Sequence, residues 1–504
     1  MLEPEFWSRV MGLKAVTSGI VVANDSTKPR SKTEKTGSKP PPPAANTLPD
    51  VDVFQSRSVP NIFAQVPVGD LYRKTNDAAL LRFLDEAIAY AHLAPLSSLD
   101  DAKLAIYTKS LPKVELHQHL DGSIDPETLI EFARQRGIDL PADTIETLSR
   151  PAQKANGRST LKDFFERFRS AQVVWKDRDA IKTLTVHVIE KAAHDNVKHL
   201  ELQFSPVGMA ECHGLDLEDV VKGVIDGVAA ATEQFAIGVR LIVTISRRRS
   251  VALGWEVEKL AAKYKDRGVV ALGLASDEKA YPADEFAPMF QAAEKDGLGR
   301  APHSGEDGPA TNVATAIKKL KANRIGHGIR VIFDPEGLEL VRTEDIPLEI
   351  CPSSNILTGA AESWAKHPFR VLLDAGVRVT INTDDPGLFG VTLSDEMALA
   401  AKHFDLSCKE LRTIISNSVD AAFLEGRDKQ KLRLQVLTGI SEANRALVDN
   451  LTLRELLLLA VGGMRREGMP MDQQRKFVED FMSYLEAAAE GNAAAKEDAA
   501  TLLA

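Results

Sequence analysis

Cysteine is scarce in this chain, and the few cysteines are widely separated. Of 504 residues, only Cys212, Cys351 and Cys408 are cysteines. An odd number with no Cys-x-x-Cys spacing provides neither a disulfide framework nor a cysteine-based metal knuckle. Such usage is typical of proteins in a reducing compartment.

The sequence also lacks a long hydrophobic run and an excess of positive charge. Residues 456–461 form one of the most apolar stretches, and it ends at Gly462, well short of the ~18 residues that cross a membrane. Glu3 and Glu5 stand where a secretory signal carries positive charge, and Lys14 interrupts the apolar part. The net charge of −10 argues against nucleic acid, although not against a small nucleotide. We therefore expect a cytoplasmic protein with no membrane or nucleic-acid partner.

Composition and periodicity divide the chain into four parts. Residues 1–60 are predicted to be a disordered tail, because their Lys-, Ser-, Thr- and Pro-rich stretch cannot bury enough apolar surface to offset the entropy of ordering. Residues 61–110 have helical spacing, and residues 111–430 alternate between strand and helix patterns. Residues 431–504 are predicted to be a C-terminal helical extension that serves packing or oligomerisation.

Short apolar runs separated by helical stretches dominate residues 111–430. The runs are 114–116, 197–204, 239–245, 269–275, 301–303, 324–327, 347–351 and 377–383. About eight buried strands covered by helices predict an α/β fold, a (β/α)8 TIM barrel with extra N-terminal and C-terminal helices. Active sites of such barrels lie at the carboxyl ends of the strands, so polar residues there are the functional candidates. Histidines elsewhere are interpreted as surface or packing residues.

Histidines at two of these ends form a candidate metal site. His117 and His119, two residues apart on the first strand, point to the same side of it. Together with His303 at the fifth strand they offer three nitrogen ligands. Asp384 or Asp385 offers an oxygen, and this set suits Zn²⁺ with a position left for water. The fourth run ends without the lysine that often bridges two metals in binuclear barrel hydrolases, so we expect one zinc per chain.

Three further polar residues are candidates for proton transfer. Glu306 lies three residues beyond His303, and a carboxyl group in a dry pocket has a raised pKa that lets it donate a proton at neutral pH. His327, not needed as a ligand, can take the proton from the attacking water. Glu349 on the neighbouring strand is predicted to fix the tautomer of His327.

Four motifs, in the same order, resemble those of the adenosine deaminase family. They are LPKVELHQHLDGSI at 111–124, HSGE at 303–306, RIGHG at 324–328 and NTDDP at 382–386. The resemblance implies a hydrolase that converts adenosine or 2′-deoxyadenosine to inosine or 2′-deoxyinosine and ammonia. It also implies that the zinc ligands are His117, His119, His303 and Asp384.

The same resemblance implies contacts with a purine nucleoside. Glu306 would protonate purine N1, and His327 would assist the hydroxide that attacks C6. Asp385 would meet N7, and Asp121 a ribose hydroxyl. An apolar lid beside the base is implied for three phenylalanines of one helix, the alternative being a helix face packed on the barrel. The full set of predicted substrate-binding residues is His119, Asp121, Ser276, Asp385, Phe164, Phe165 and Phe168.

Two stretches depart from the family pattern. Ser276 stands where adenosine enzymes of the family carry a glycine whose amide meets purine N3, so a backbone N–H is kept without the close approach that glycine allows. Three arginines at 247–249 follow the third strand and would either contact an anion such as phosphate or form surface salt bridges. These departures keep open a sibling aminopurine deaminase that acts on adenine, an N6-modified AMP or a futalosine-type nucleoside.

Two other classes of protein fit this sequence less well than a nucleoside deaminase does. A non-catalytic binding or signalling protein on the same scaffold would not need Glu306, His327 and the paired aspartates. The base-flipping zinc deaminases require a Cys-x-x-Cys motif that this chain lacks. Asp121 favours a nucleoside over a free base, because adenine-specific relatives often carry glutamate there.

Overall fold

The computed structural model describes residues 66–75, 77–140, 142–149 and 161–490. The predicted tail 1–60 lies outside the described residues, as do residues 491–504. The strands are β1 (Lys113–His119), β2 (Val197–Phe204), β3 (Gly238–Ser246), β4 (Val269–Ala275), β5 (Gly299–Ser304), β6 (Ile325–His327), β7 (Leu348–Ile350) and β8 (Val379–Ile381). They fall on the predicted apolar runs.

All these strands are parallel and follow chain order through one sheet. An isolated parallel bridge between Gln118 and Asp384 joins the chain after β8 to β1, so the sheet nearly closes. Between β6 and β7, Gly326 is the register partner of Glu349. The predicted (β/α)8 barrel is therefore confirmed.

Helices surround this barrel and extend it at both ends of the described chain. Up to β5 they are α1 (Val68–Lys74), α2 (Ala78–Ala91), α3 (Asp101–Ser110), α4 (Pro126–Gln135), α5 (Ala142–Ser149), α6 (Leu161–Ala171), α7 (Arg178–His194), α8 (Pro206–Ala210), α9 (Leu217–Gln234), α10 (Val251–Lys263) and α11 (Ala287–Lys295). After β5 they are α12 (Asn312–Leu320), α13 (Pro335–Thr343), α14 (Pro352–Leu357), α15 (Phe369–Asp374), α16 (Pro386–Phe389), α17 (Leu393–His403), α18 (Cys408–Ala421), α19 (Gly426–Asp449), α20 (Leu453–Arg466) and α21 (Met471–Glu490). None of the described helices has the length and apolarity needed to cross a bilayer.

The barrel interior is filled at the amino ends of its strands. Ile242, Ala271 and Ala301 form a small buried cluster there, with Phe423 packed against it. A Cβ built on Gly299 would lie 2.4 Å from the Phe423 ring, so glycine at this position makes room for the aromatic plug. Because this end is packed, the space for a ligand lies at the carboxyl ends of the strands.

The extra helices from the two ends of the described chain pack together. The helices α1, α2, α20 and α21 share a core separate from that of the barrel, with Leu84, Leu456 and Phe481 buried in it. The backbone N–H of Val68 donates to the carbonyl of Leu451 at 2.8 Å, which ties α1 to the start of α20.

The helix α19 connects the barrel to this second core. Its buried residues recur at helical spacing, namely Leu432, Val436, Ile440, Ala443, Leu447 and Val448. The predicted boundary at 430/431 falls inside this helix. The division of the chain into four parts stays a prediction.

Candidate active site

Three imidazoles and one carboxylate converge at the carboxyl end of the barrel. His303 Nε2 lies 3.0 Å from His117 Nε2 and 3.1 Å from His119 Nε2. Asp384 Oδ1 lies 3.5 Å from His117 Nε2 and 3.3 Å from His119 Nε2. The four side chains are buried or nearly so. Four donor atoms therefore surround one point.

This donor cluster, His117, His119, His303 and Asp384, fits a small divalent ion. Ligand atoms around a tetrahedral ion with bonds of about 2.0–2.1 Å lie about 3.3 Å apart, close to the separations observed. Burial lowers the pKa of His119 to about 4 and that of His303 well below its usual value, so both rings are neutral and keep a lone pair for a metal.

A second group, in which Cys351 joins His117, His327 and Asp384, fits a metal less well. The thiol donates to the Glu349 carbonyl at 3.6 Å, and burial raises the pKa of Cys351 well above its usual value. A protonated thiol is not a metal ligand, so the group with three imidazoles is the better site.

Glu349 orients His117. Its Oε2 accepts a hydrogen bond from His117 Nδ1 at 2.7 Å, so Nε2 is the ring nitrogen of His117 that is directed at the cluster. The prediction that Glu349 fixes the tautomer of His327 is wrong. The physical reason is the strand register. Glu349 is the register partner of Gly326, and because glycine has no side chain, the Glu349 carboxylate can reach His117.

A buried ion-pair network that the sequence reasoning missed supports Glu349. The Nε of Arg324 donates to Glu349, and its Nη1 pairs with Glu201 Oε2 at 2.7 Å. The same guanidinium donates to the Ala421 carbonyl at 2.9 Å and lies over the ring of Phe423, 3.9 Å from its centroid. The orientation of His117 therefore depends on the end of α18.

Asp384 is held from two sides. Ser354 Oγ donates to its Oδ2 at 2.6 Å, which leaves Oδ1 facing the imidazoles. Its backbone N–H donates to the His117 carbonyl at 2.9 Å, and its carbonyl accepts from the His119 N–H at 2.7 Å. Asp384 has a φ of 66°, a sparsely populated conformation for this residue type that these contacts enforce.

Glu306 lies on the loop after β5, in a conformation fixed by Glu278. The buried Glu278 carboxylate accepts from the backbone N–H of Gly305 at 2.7 Å and from those of Glu306 and Gly308 at 3.1 Å. Glu306 Oε2 lies 3.7 Å from His327 Nε2. Burial raises the pKa of Glu306 well above its usual value, and the negative charge of Asp384 adds to the shift. This carboxyl group therefore keeps a proton that it can donate.

A cavity of about 300 Å³ opens over the donor cluster. Its walls include Glu306, His327, Asp121 and Asp385, so the structure brings these predicted residues to one space. Among the described residues, Asp121 Oδ1 and Asp385 Oδ1 are buried without a hydrogen-bond partner. Buried polar atoms are normally paired, so these two oxygens are suited to a ligand.

The predicted aromatic lid is described only in part. Phe168 on α6 is half-buried and lines the cavity, and its place beside the base stays a prediction. The side chains of Phe164 and Phe165 lie outside the described residues.

Ser276 lines the same cavity in a backbone conformation that favours glycine. Its φ is 84°, and side chains that carry a Cβ rarely adopt this region. Serine at this position therefore holds a conformation that glycine adopts freely, at the cost of strain.

Replacement of Ser276 by glycine is expected to stabilise the protein by about 0.5–1 kcal/mol. A left-handed φ costs a residue with a Cβ about 1–2 kcal/mol, and the greater unfolded-state entropy of glycine offsets part of the relief. Urea unfolding of the full chain measures the change. The matched control is Ser276→Ala, which removes the hydroxyl but keeps the Cβ; an equal gain in both variants would contradict strain at this φ.

The three arginines after β3 separate into different environments. Arg247 is buried, and its guanidinium donates to the carbonyls of His303 and of Tyr281, the latter at 3.3 Å. It therefore supports β5 rather than forming a surface salt bridge. Arg248 and Arg249 line the cavity, and Arg249 pairs with Glu211.

The parallel barrel with a buried His/Asp cluster at its carboxyl end is that of a metal-dependent (β/α)8-barrel hydrolase. A sequence model described as adenosine deaminase matches residues 112–438. The chain belongs to the adenosine deaminase family and is a hydrolytic deaminase. The resemblance inferred from the four motifs is thus confirmed.

Similar proteins act on different aminopurines. An adenosine deaminase of Clostridium botulinum (strain 657 / Type Ba4) is 34% identical over 325 residues, which are 64% of this chain and 98% of that protein. An adenine deaminase structure from Arthrobacter aurescens has a TM-score of 0.61 and 30% identity, covering 66% of this chain and 99% of the other. An Arabidopsis N6-mAMP deaminase has a TM-score of 0.60 and 31% identity, with coverage of 66% and 99%. Family membership alone therefore leaves the substrate open.

Proposed function

We propose that this enzyme hydrolytically deaminates adenosine and 2′-deoxyadenosine, giving inosine or 2′-deoxyinosine and ammonia, with one zinc ion per chain. The observation that carries the proposal is that the Glu306 carboxyl group and the donor cluster open onto the same cavity. A proton donor beside a metal site is what replacement of an amino group by water on a purine ring requires.

His117, His119, His303 and Asp384 are the residues that would hold the metal. Neutral imidazoles and a carboxylate suit zinc, whose catalytic sites keep one position open for water. When bound, the ion supplies the Lewis acidity that lowers the pKa of water from about 15.7 to about 7.

Glu306 supplies the proton for the purine ring. Its carboxyl group donates to N1, which draws electrons from C6 and prepares that carbon for attack by water. The water oxygen bonds to C6, and one of the water protons passes to the amino nitrogen, which leaves as ammonia when its bond to C6 breaks. The other water proton returns to the Glu306 carboxylate, so that C6 carries a carbonyl oxygen and N1 keeps the proton that Glu306 donated. His327 lies beside the same space, with its Nε2 facing Glu306 and Asp384 at 3.7 and 3.8 Å.

Other cavity residues orient the nucleoside. Burial and then the charge of Asp384 raise the pKa of Asp385 well above its usual value, which favours the protonated carboxyl group that donates to N7. Asp121 Oδ1 is available to a ribose hydroxyl, the backbone N–H of Ser276 serves N3, and Phe168 covers the base. His119 lines the cavity as well as belonging to the donor cluster. Asp121 is the residue that favours a nucleoside over a free base.

Removal of the metal is expected to abolish turnover of adenosine. Ultraviolet difference spectra of the full chain with adenosine are recorded before and after chelation, alongside total metal analysis. Loss of conversion with the chelator, recovery with zinc and about one zinc per chain support the proposal. Adenine, AMP and N6-methyl-AMP are assayed in parallel, and faster conversion of any of them than of adenosine would overturn the nucleoside assignment.

A nucleoside 5′-monophosphate is the second candidate substrate, on the evidence of the cavity wall. Arg169, Arg248 and Arg249 all line the cavity, and guanidinium groups are the usual partners of phosphate. Glu211, Asp277 and Asp307 line it as well, so the charge of this wall is mixed. The similar N6-mAMP deaminase acts on such a nucleotide, and the assay of AMP beside adenosine separates the two candidates.

The cellular compartment proposed for the enzyme is the cytoplasm. Cys212, Cys351 and Cys408 are all free thiols, and Cys212 is exposed. Free thiols are typical of proteins in a reducing compartment. Fractionation of the source cells tests the compartment, and non-reducing electrophoresis of the same fractions tests whether the thiols are free.

A further inference from the structure

His327 is the first of three buried side chains joined by hydrogen bonds, and the other two, Asn355 and His367, do not line the cavity. His327 Nδ1 lies 3.1 Å from Asn355 Nδ2, and Asn355 Oδ1 lies 3.2 Å from His367 Nε2. The sequence placed His367 among ordinary packing residues, and no motif marks it. All three residues are buried, so their polar atoms depend on one another for partners.

The direction of each hydrogen bond in this chain follows from one backbone group. The N–H of Phe369 can only donate, and it donates to His367 Nδ1 at 3.1 Å. His367 Nδ1 therefore carries no proton, and the ring carries its proton on Nε2. Burial lowers the pKa of His367 to about 3, which agrees with a neutral ring.

The proton on His367 Nε2 fixes the amide of Asn355. It donates to Oδ1, so the NH₂ group must face His327; the reverse orientation would set the NH₂ group of Asn355 against the N–H of His367. The main chain of Asn355 is held as well, since its carbonyl accepts from the Ala361 N–H at 2.7 Å. The amide therefore has one orientation and presents a donor to His327 Nδ1.

We infer that Asn355 and His367 are positioning residues that set the tautomer of His327, so that its proton sits on Nε2, the nitrogen that faces the substrate. A ring whose Nδ1 accepts from Asn355 carries its proton on Nε2. His327 then acts as a hydrogen-bond donor that orients the oxygen attacking C6, and it is not the base that takes the proton from water. The kinetic part of this inference rests on the proposed function, whereas the tautomer does not.

The tautomer is read directly from the ¹⁵N histidine NMR spectrum of the full-length, zinc-loaded protein. The His327 signals are assigned by their disappearance in His327→Gln. A proton on Nε2 in the wild type is the expected result, and a proton on Nδ1 would overturn the inference. Asn355→Asp replaces the donor by an acceptor, so the proton is expected to move to Nδ1.

Kinetics of variants test whether the tautomer matters for turnover. His367→Phe removes the donor and is expected to lower kcat about 10–100-fold with little change in KM or zinc content, whereas His367→Gln, which can still donate to Asn355, is expected to recover much of kcat. The matched control is His403→Phe, since His403 stacks on Trp364 at 4.4 Å outside this chain.

An unchanged kcat and an unchanged His327 spectrum in His367→Phe would overturn the positioning role. If none of the aminopurines is converted, the proposed function fails, and the NMR spectrum still decides the tautomer.

Discussion

Replacement of Glu306 by glutamine is expected to lower kcat for deamination by about 10²–10⁴-fold, the usual contribution of a positioned general acid. The amide can still form a hydrogen bond to N1 but has no acidic proton to transfer. Zinc content is expected to stay unchanged, because Glu306 is not part of the donor cluster. Steady-state kinetics and metal analysis of the purified variant measure both quantities.

The neighbouring Asp307 provides the control for this change. Asp307→Asn alters a carboxylate on the same loop that lines the cavity and pairs with Lys279 at 3.0 Å, so only a few-fold effect is expected. The pH profile gives a separate check. Because the acid form of Glu306 is required, kcat/KM should fall as the pH rises through its raised pKa. Equal losses in the two variants would remove Glu306 from the proposed role.

Replacement of Gly326 by alanine is expected to weaken zinc binding by about 10–100-fold or more, as disturbance of the residues behind a metal ligand usually does. A Cβ at this position would lie 2.7 Å from His117 Cε1 and 3.2 Å from His303 Cα. The ring of His117 has no room to withdraw, since Glu349 holds its Nδ1 at 2.7 Å. Zinc retained by the protein against a competing chelator measures the loss.

A glycine in the second core serves as the control for Gly326. A Cβ on Gly462 would meet only Ala94 Cβ, at 3.6 Å, which is ordinary contact. Gly462→Ala is therefore expected to leave zinc binding unchanged. If Gly326→Ala binds zinc as tightly as Gly462→Ala does, crowding at His117 does not limit the geometry of the metal site.

The barrel and the cavity residues could be predicted because they follow local rules. Strands buried on both faces are apolar throughout, and in a parallel barrel their carboxyl ends meet, so polar residues there converge. His117, His303 and Glu306 were found in this way. The spacing of two residues on one strand was enough to place His117 and His119 together.

Relations between side chains distant in sequence could not be predicted in this way. The pairing of Glu349 with His117 depends on its register with Gly326, which no local pattern encodes. Asn355 lies on a short helix and His367 on a loop, and only the fold reveals that Asn355 contacts His327 and that His367 contacts Asn355.

The start of α19 and the burial of Arg247 were not predicted from the sequence, although a local signal existed for the helix. The helix α19 begins at Gly426, before the predicted boundary at 430/431. The regular helical spacing of its buried residues, from Leu432 to Leu447, was the local signal for this helix. The three arginines at 247–249 were expected either to contact an anion or to form surface salt bridges, whereas Arg247 is buried and donates to the carbonyls of His303 and Tyr281.

During synthesis, the metal ligands and the residues that support them are not all present until the chain extends past Phe423. The first strand carries two of the ligands, but the clamp on His117 runs through Arg324, which is held by the Ala421 carbonyl and the Phe423 ring. A nascent chain that ends before Asp384 exposes three imidazoles without the carboxylate that completes the set. The complete set of four ligands therefore requires the chain after β8, and the support of His117 requires α18 as well.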